Sequence, residues 1–197
     1  MTDLPGGLPL RLISLVLFTL VCAAPAFARP LAYVLDGTSS SVGFEVAFGT
    51  TPLRGTMPVS AASLVLDFDV VGNSRVDVTL SSRQARMGLP FAVEAMKSPS
   101  VLDVARFPSV RFQSTKVRAN GEGARVEGLL TVRGVSRPVV LQATIWRQQG
   151  TQSGSKDKLT IRLTGALSRA AFGATGWSDM VGDIVNLDIR ARIHEDR

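Results

Sequence analysis

Alternation of apolar and polar residues, repeated segment after segment, constrains this chain more than any other feature. Side chains of a β-strand point to opposite faces in turn, so a period of two marks a strand with one buried face. Val42, Phe44, Val46 and Phe48 share one face, with Ser41 and Glu45 opposite. Leu64, Leu66, Phe68 and Val70 alternate with Val65, Asp67 and Asp69, and Val76, Val78 and Leu80 with Asp77, Thr79 and Ser81. The pattern returns at Val110 and Phe112, at Val126, Gly128, Leu130 and Val132, and at Val139, Leu141, Ala143 and Ile145. It closes with Leu159, Ile161, Leu163 and Leu167, then Leu187, Ile189, Ala191 and Ile193. These are eight strands, or nine or ten with "LAYVLD" (31–36) and "LRGTMPV" (53–59).

The links "VVGNSR", "RANGEGAR" and "RQQGTQSGSKDK" read as turns, the last as a long polar hairpin tip. Helical spacing is sustained only over 89–98, where Leu89, Val93 and Met96 would share a face behind Pro90. A second short turn is expected over "SVLDVARF". One apolar face per strand needs a partner, so the chain is all-β, an up-and-down barrel or a two-sheet sandwich. An eight-stranded barrel is either filled by side chains or holds one small ligand, and periodicity cannot choose.

The first residues belong to a different solvent. Arg11 precedes an uncharged apolar run, Leu12 to Ala24, followed by Ala26-Phe27-Ala28. The run is too short to span a hydrocarbon core of about 30 Å as a helix. It reads as a secretory signal peptide, residues 1–28, cleaved after Ala28. An uncleaved anchor is the alternative. Lipidation at Cys22 is disfavoured by Val21 before it. Residues 29–197 then form one domain, exported to the periplasm, and without cysteine, since Cys22 leaves with the signal.

Covalent chemistry is short of reagents. The only histidine, His194, sits four residues from the C-terminus, which disfavours a Ser-His-Asp triad, a Cys-His pair and the usual zinc sites. Asp67 and Asp69 fall on the outer, solvated face of a strand by alternation, not as an acid/base pair. "GATGWSD" (173–179) is glycine-rich but follows no phosphate-loop pattern. The chain reads as no enzyme, with no catalytic cofactor and no metal site. Its formal charge is +6, with 22 basic residues against 16 acidic. That balance suits either a plain basic surface or attraction to anionic head groups and transient contact with a membrane surface. Without a Lys/Arg run or recognition-helix pattern, nucleic acid is no partner.

Four motifs resemble those of one family. "GLLTVRGVSRPVVL" (128–141) resembles the G-x-L-T-[IV]-[RK]-G-V-[ST]-[RK]-P-V signature of the YceI-like proteins, periplasmic polyisoprenoid-binding proteins. "YVLDGTSSSVGFEV" (33–46), "MKSPSVLDVARFPSVRFQSTKV" (96–117) and "LSRAAFGATGW" (167–177) are similar to three further family segments, in the same order. The resemblance implies an antiparallel, eight-stranded, lipocalin-like β-barrel with one or two short helices covering an end. Its ligand would be an amphiphilic isoprenoid, a polyprenyl phosphate or an isoprenoid quinone, bound for transport. The family also admits a homodimer.

On that basis Phe44, Val46, Phe48, Leu66, Phe68, Phe112, Leu130 and Ile145 are the expected wall. Phe91, Met96, Phe107, Phe172 and Trp177 are expected at the covered end. Arg83, Arg86 and Lys97 are the candidates for a head group. In the signature, Gly134 would allow a positive φ and Pro138 would begin the next strand, with Arg133 and Arg137 solvating the turn or holding a head group. The chain departs from the family at Ser40, Phe48 and Ala95, near places where many members carry histidine. It departs also at Val93, often acidic, and at Val101, often Phe. These changes point to a less polar mouth. The competing reading is a packed, ligand-free barrel acting as a stress-response or protein-interaction module.

Overall fold

In a computed structural model, residues 30–121 and 123–197 are described. The expected signal segment 1–28, with Cys22, lies outside them.

The strands are β1 (Leu31–Leu35), β2 (Ser41–Phe48), β3 (Thr51–Thr56), β4 (Val59–Leu66), β5 (Arg75–Ser81) and β6 (Arg86–Met87). After helix α1 (Pro90–Lys97) follow β7 (Ser109–Asn120), β8 (Gly123–Val132), β9 (Val135–Arg147), β10 (Lys158–Ser168) and β11 (Val181–Glu195). All pairings are antiparallel, and they reduce to eight positions around a closed barrel. β1 and β2 lie along one edge of β11, Leu35 opposite Ile193 and Ser41 opposite Arg190. They are one strand interrupted at 36–40. β3 and β4 are likewise one strand broken at Met57-Pro58, for Gly43 faces Thr56 while Tyr33 faces Leu64. β5 pairs with β4 and the short β6 with β3, as a third position. The remaining five strands follow in chain order, each beside its predecessor, and β11 closes on β1 and β2. "LAYVLD" and "LRGTMPV" are therefore the other halves of predicted strands, not extra positions.

The barrel ends differ. At one end are the β2–β3 link, the long β5–β7 connection with β6 and α1, the β8–β9 turn and the β10–β11 connection. The other end is plugged. Tyr33, Leu159 and Ile193 are buried together there, and Phe68 meets the Tyr33 ring edge-on at 6.0 Å. The Tyr33 hydroxyl donates to the Lys156 carbonyl at 3.1 Å. Its pKa is pushed up to about 12, first by burial and then by Glu195 and Asp157.

Three sequence expectations change. β4 ends at Leu66, so Asp67 and Asp69 lie in a turn and not on a strand face. Asp67 is only 3% exposed. Its carboxylate accepts the N–H groups of Asp69 (2.9 Å) and Val70 (2.7 Å) and the Asn73 amide (3.0 Å). The bonds from Val70 and Asn73 lead in holding it below the usual carboxylate range. Asp67 thus builds its turn, as short acidic side chains do. Helix α1 is rolled relative to the expected face: Ala92 and Met96 are buried while Leu89 is 40% exposed. The segment "SVLDVARF" holds turns, as expected. Pro138 lies inside β9 and not at its start, opposite Leu129. It precedes the stretch of β9 that pairs with β10 from Gln142 onward, so no ladder bond is lost on that side.

The β8–β9 turn is a two-residue hairpin with Arg133 at φ 53° and Gly134 at φ 74°. Both values are positive, as the twist-matched hairpin turns require. A Cβ on Gly134 would also stand 3.0 Å from the Phe107 ring. Arg133 does more than solvate the turn: its guanidinium donates to the carbonyls of Pro99 (2.7 Å) and Val101 (2.6 Å). Arg137 donates to Ala171 O at 3.2 Å. The hairpin is therefore tied to both segments that cover its end.

Candidate functional site

The inward faces of the strands do not meet. They enclose a cavity of about 960 Å³ that runs from the plugged end to the helix end. That is near the top of the roughly 300–1,000 Å³ typical of small-molecule sites. The lining is aliphatic and aromatic through its middle, with Val76, Val78, Val126, Leu141, Ile161, Leu163 and Leu187 among its members. Glycine leaves room where rings lie flat: a Cβ on Gly128 would stand 2.5 Å from the Phe112 ring.

Every expected wall residue borders this cavity: Phe44, Val46, Phe48, Leu66, Phe68, Phe112, Leu130 and Ile145. At the helix end Phe91, Met96, Phe172 and Trp177 border it too. Phe107 does not. Its ring packs against the Gly134 turn, with the Arg106 guanidinium 5.2 Å from its centroid. Arg83, Arg86 and Lys97 are also absent from the lining. Arg83 and Arg86 are exposed in the segment that leads to α1, and Lys97 is its last residue.

The polar residues of the lining are few, and apart from the exposed Glu94 and Arg190 they are already engaged. Asp67 and Ser74 bond each other in the turn at the plugged end, Asp67 N–H to Ser74 Oγ at 3.0 Å. Ser40 Oγ accepts the Arg192 N–H at 2.9 Å, filling the gap between β1 and β2. Arg169 is 8% exposed. Its guanidinium donates to four carbonyls, Gly182 (2.9 Å), Ala174 (2.7 Å), Gly176 (2.7 Å) and Val181 (2.9 Å). This arginine was missed as a site residue although it is the Arg of the "SRAAFG" motif. Also missed were Met57, Met87 and Met180, which with Met96 give the helix end a flexible thioether lining.

The mouth is located by residues that are both lining and exposed. Phe91 and Glu94 of α1 face Trp177 and Met180 of the β10–β11 connection in this sense. Phe91 also packs on Phe48, ring centroids 6.2 Å apart. The cavity thus opens between α1 and residues 176–180. His194 is elsewhere, on β11 opposite Val34 and Lys158 at the plugged end. The site is a long, largely apolar sleeve that opens beside α1.

Residues 33–193 match the model of the YceI-like domain. A UPF0312 protein of Enterobacter sp. (strain 638) is 29% identical over 142 residues, which span 72% of this chain and 68% of the relative. Among solved structures, Burkholderia cenocepacia BcnA superposes with a TM-score of 0.71 at 19% identity, covering 81% of this chain and 99% of BcnA. A Campylobacter jejuni YceI protein aligns with a TM-score of 0.57 at 22% identity, over 72% of this chain and 84% of its own. These two are alike in fold.

Proposed function

We propose that this chain, which belongs to the YceI-like family, binds and carries a long-chain isoprenoid lipid. The observation that carries this reading is the continuous apolar cavity of about 960 Å³, plugged at the Tyr33 end and open beside α1. An apolar tail enters it without stranding a polar group, since the lining offers almost none that is unbonded.

Burial supplies the affinity. Micromolar binding needs about 8 kcal/mol, and association costs at least about 4 kcal/mol more. At about 25 cal/mol per Å², that asks for roughly 500 Å² of apolar area leaving water. A tail of several isoprene units supplies area of that order. Such a tail is read by shape and length, so selectivity among tails is loose.

The head is the discriminating part. Of the two arginines that border the cavity, Arg169 is spent on four carbonyls and Arg190 lies exposed on β11 towards the plugged end, so a phosphate drawn in beside α1 would meet no free cation there. Burying an unpaired charge is costly. An isoprenoid quinone, whose ring is uncharged, fits the thioether and aromatic lining of the helix end. A polyprenyl phosphate would have to leave its head outside the mouth. The apolar residues Phe48 and Ala95, both in the lining, favour the uncharged head. The protein works in the periplasm after cleavage at Ala28 and does no covalent chemistry. A packed, ligand-free barrel does not account for the open interior.

Native mass spectrometry of the protein purified from a periplasm, followed by extraction of its lipid, tests this. A stoichiometric quinone adduct is expected. A protein that stays lipid-free when offered both quinones and polyprenyl phosphates would overturn the carrier reading.

A further inference from the structure

We propose that the lip of the cavity is a bilayer-docking surface, on which Leu89, Phe91, Trp177 and Met180 enter the interfacial layer of a membrane. The proposal rests on the lipid-carrier reading of the same cavity. Phe91 is 58% exposed, Trp177 51%, Met180 42% and Leu89 40%, on the two segments that flank the mouth. Grouped exposed apolar side chains mark an interaction surface more often than scattered ones.

The display of Trp177 is built in. Its backbone has φ 61°, a conformation unusual for a bulky residue. It is held there by a rigid frame. Gly176 N–H donates to Ser100 O at 2.8 Å, and the N–H groups of Met180 and Val181 donate to Trp177 O at 3.0 and 2.7 Å. Arg169 grips the carbonyls on both sides, at Gly176 and Val181. A sparsely populated backbone conformation that ends in an exposed indole points to a use outside the fold.

The occupant follows from the continuity of lip and cavity. Phe91, Trp177 and Met180 line the cavity as well as facing solvent. A protein seated on them would stop the mouth. A bilayer would instead let an apolar tail pass between membrane and sleeve without crossing water. Trp, Phe, Leu and Met are the side chains that interfacial anchors use. Charge agrees. Arg83, Arg86 and Lys97 lie on and before α1, and none has a carboxylate partner within ion-pair distance among the described residues. Glu94 and Asp179 are exposed on the same lip and offset part of this. Anionic head groups therefore assist, and apolar insertion dominates.

The chain has two tryptophans, and Trp146 lies on β9 near the plugged end. Single-tryptophan variants Trp146→Phe and Trp177→Phe, exported and processed from the full chain, are mixed with phosphatidylcholine vesicles. The vesicles are prepared with and without phosphatidylglycerol, and with brominated acyl chains. Trp177 emission is expected to shift blue and to be quenched by bromolipid, more so with phosphatidylglycerol, while Trp146 does neither. Leu89→Ser, outside the cavity lining, is expected to weaken vesicle binding roughly tenfold and to leave the lipid adduct in native mass spectra intact. Equal or absent quenching of the two tryptophans overturns the docking surface. So does burial of Trp177 by concentration-dependent dimerisation without vesicles. A protein that carries lipid but shows no quenching loses only the docking surface. One that docks but never carries lipid loses only the carrier reading.

Discussion

Replacing Arg169 by Met keeps the length of the side chain and removes every donor. Four carbonyls lose their partner: Ala174, Gly176, Val181 and Gly182. Hydrogen bonds from a charged donor contribute about 1.5–3 kcal/mol each, so simple addition gives roughly 6–12 kcal/mol. That sum overstates the loss. Gly176, Val181 and Gly182 are half-buried and regain some hydration, whereas Ala174 is buried. Breaking a buried charged network typically costs about 3–5 kcal/mol, and the expected loss lies there. For a domain of this size it corresponds to a fall in Tm of roughly 6–20 °C. Urea unfolding followed by far-UV circular dichroism measures it, with an unchanged m-value showing that only stability moved. Amide exchange should speed up across 174–182 first, because that segment loses its anchor. A variant within 1 kcal/mol of the parent, with that segment still protected, would refute the clamp reasoning.

Ala143→Phe projects a ring into the middle of the sleeve, where Ala143 faces Ala124 and Leu163 on the adjoining strands. It should change urea stability by less than about 1 kcal/mol, against the roughly 1–3 kcal/mol that overpacking a filled core costs, and should abolish the lipid adduct in native mass spectra. Gly134→Ala meets both a positive φ and the Phe107 ring, so a loss of about 1–3 kcal/mol in the same assay is expected. Tyr33 is the only tyrosine, so tyrosinate absorbance near 295 nm reports it alone. Its midpoint should lie near 12, above the ordinary 10. An acid whose pKa is raised by folding keeps its contribution below the unfolded value and loses it as pH climbs toward the folded one. Urea stability should therefore decline between about pH 10 and 12, and Tyr33→Phe should remove that decline.

The strands were legible because a period of two leaves little choice. Phe44, Phe112, Ile161 and Leu187 all fell on the inward face that alternation assigns them, and each borders the cavity. The pattern became unreliable where a strand ended. Phe68 and Asp67 continue the alternation of β4 in sequence, yet the strand stops at Leu66 and Asp67 is buried in the turn. Alternation records which residue is apolar, not where the chain leaves the sheet. The roll of α1 was misjudged for a related reason: with only two turns, Leu89, Val93 and Met96 and the observed Ala92 and Met96 satisfy the same spacing.

The sequence by itself determined an all-β chain, which its family resemblance narrowed to an eight-stranded barrel, a shortage of catalytic side chains, and the identity of most of the apolar wall. These follow from local periodicity and from motifs, which the chain carries wherever it folds. Tertiary structure decided whether the inward faces touch or stand apart, because that distance is set by how eight strands close and not by any one of them. It also decided the use of each arginine. Arg133 binds carbonyls of a distant loop, Arg169 binds those of the β10–β11 connection it opens, Arg111 and Arg162 pair with Asp77 and Asp188 across strands, and Arg83 and Arg86 are left in solvent. A guanidinium bonds whatever folding brings within reach of its long side chain, and its position in sequence does not say what that will be.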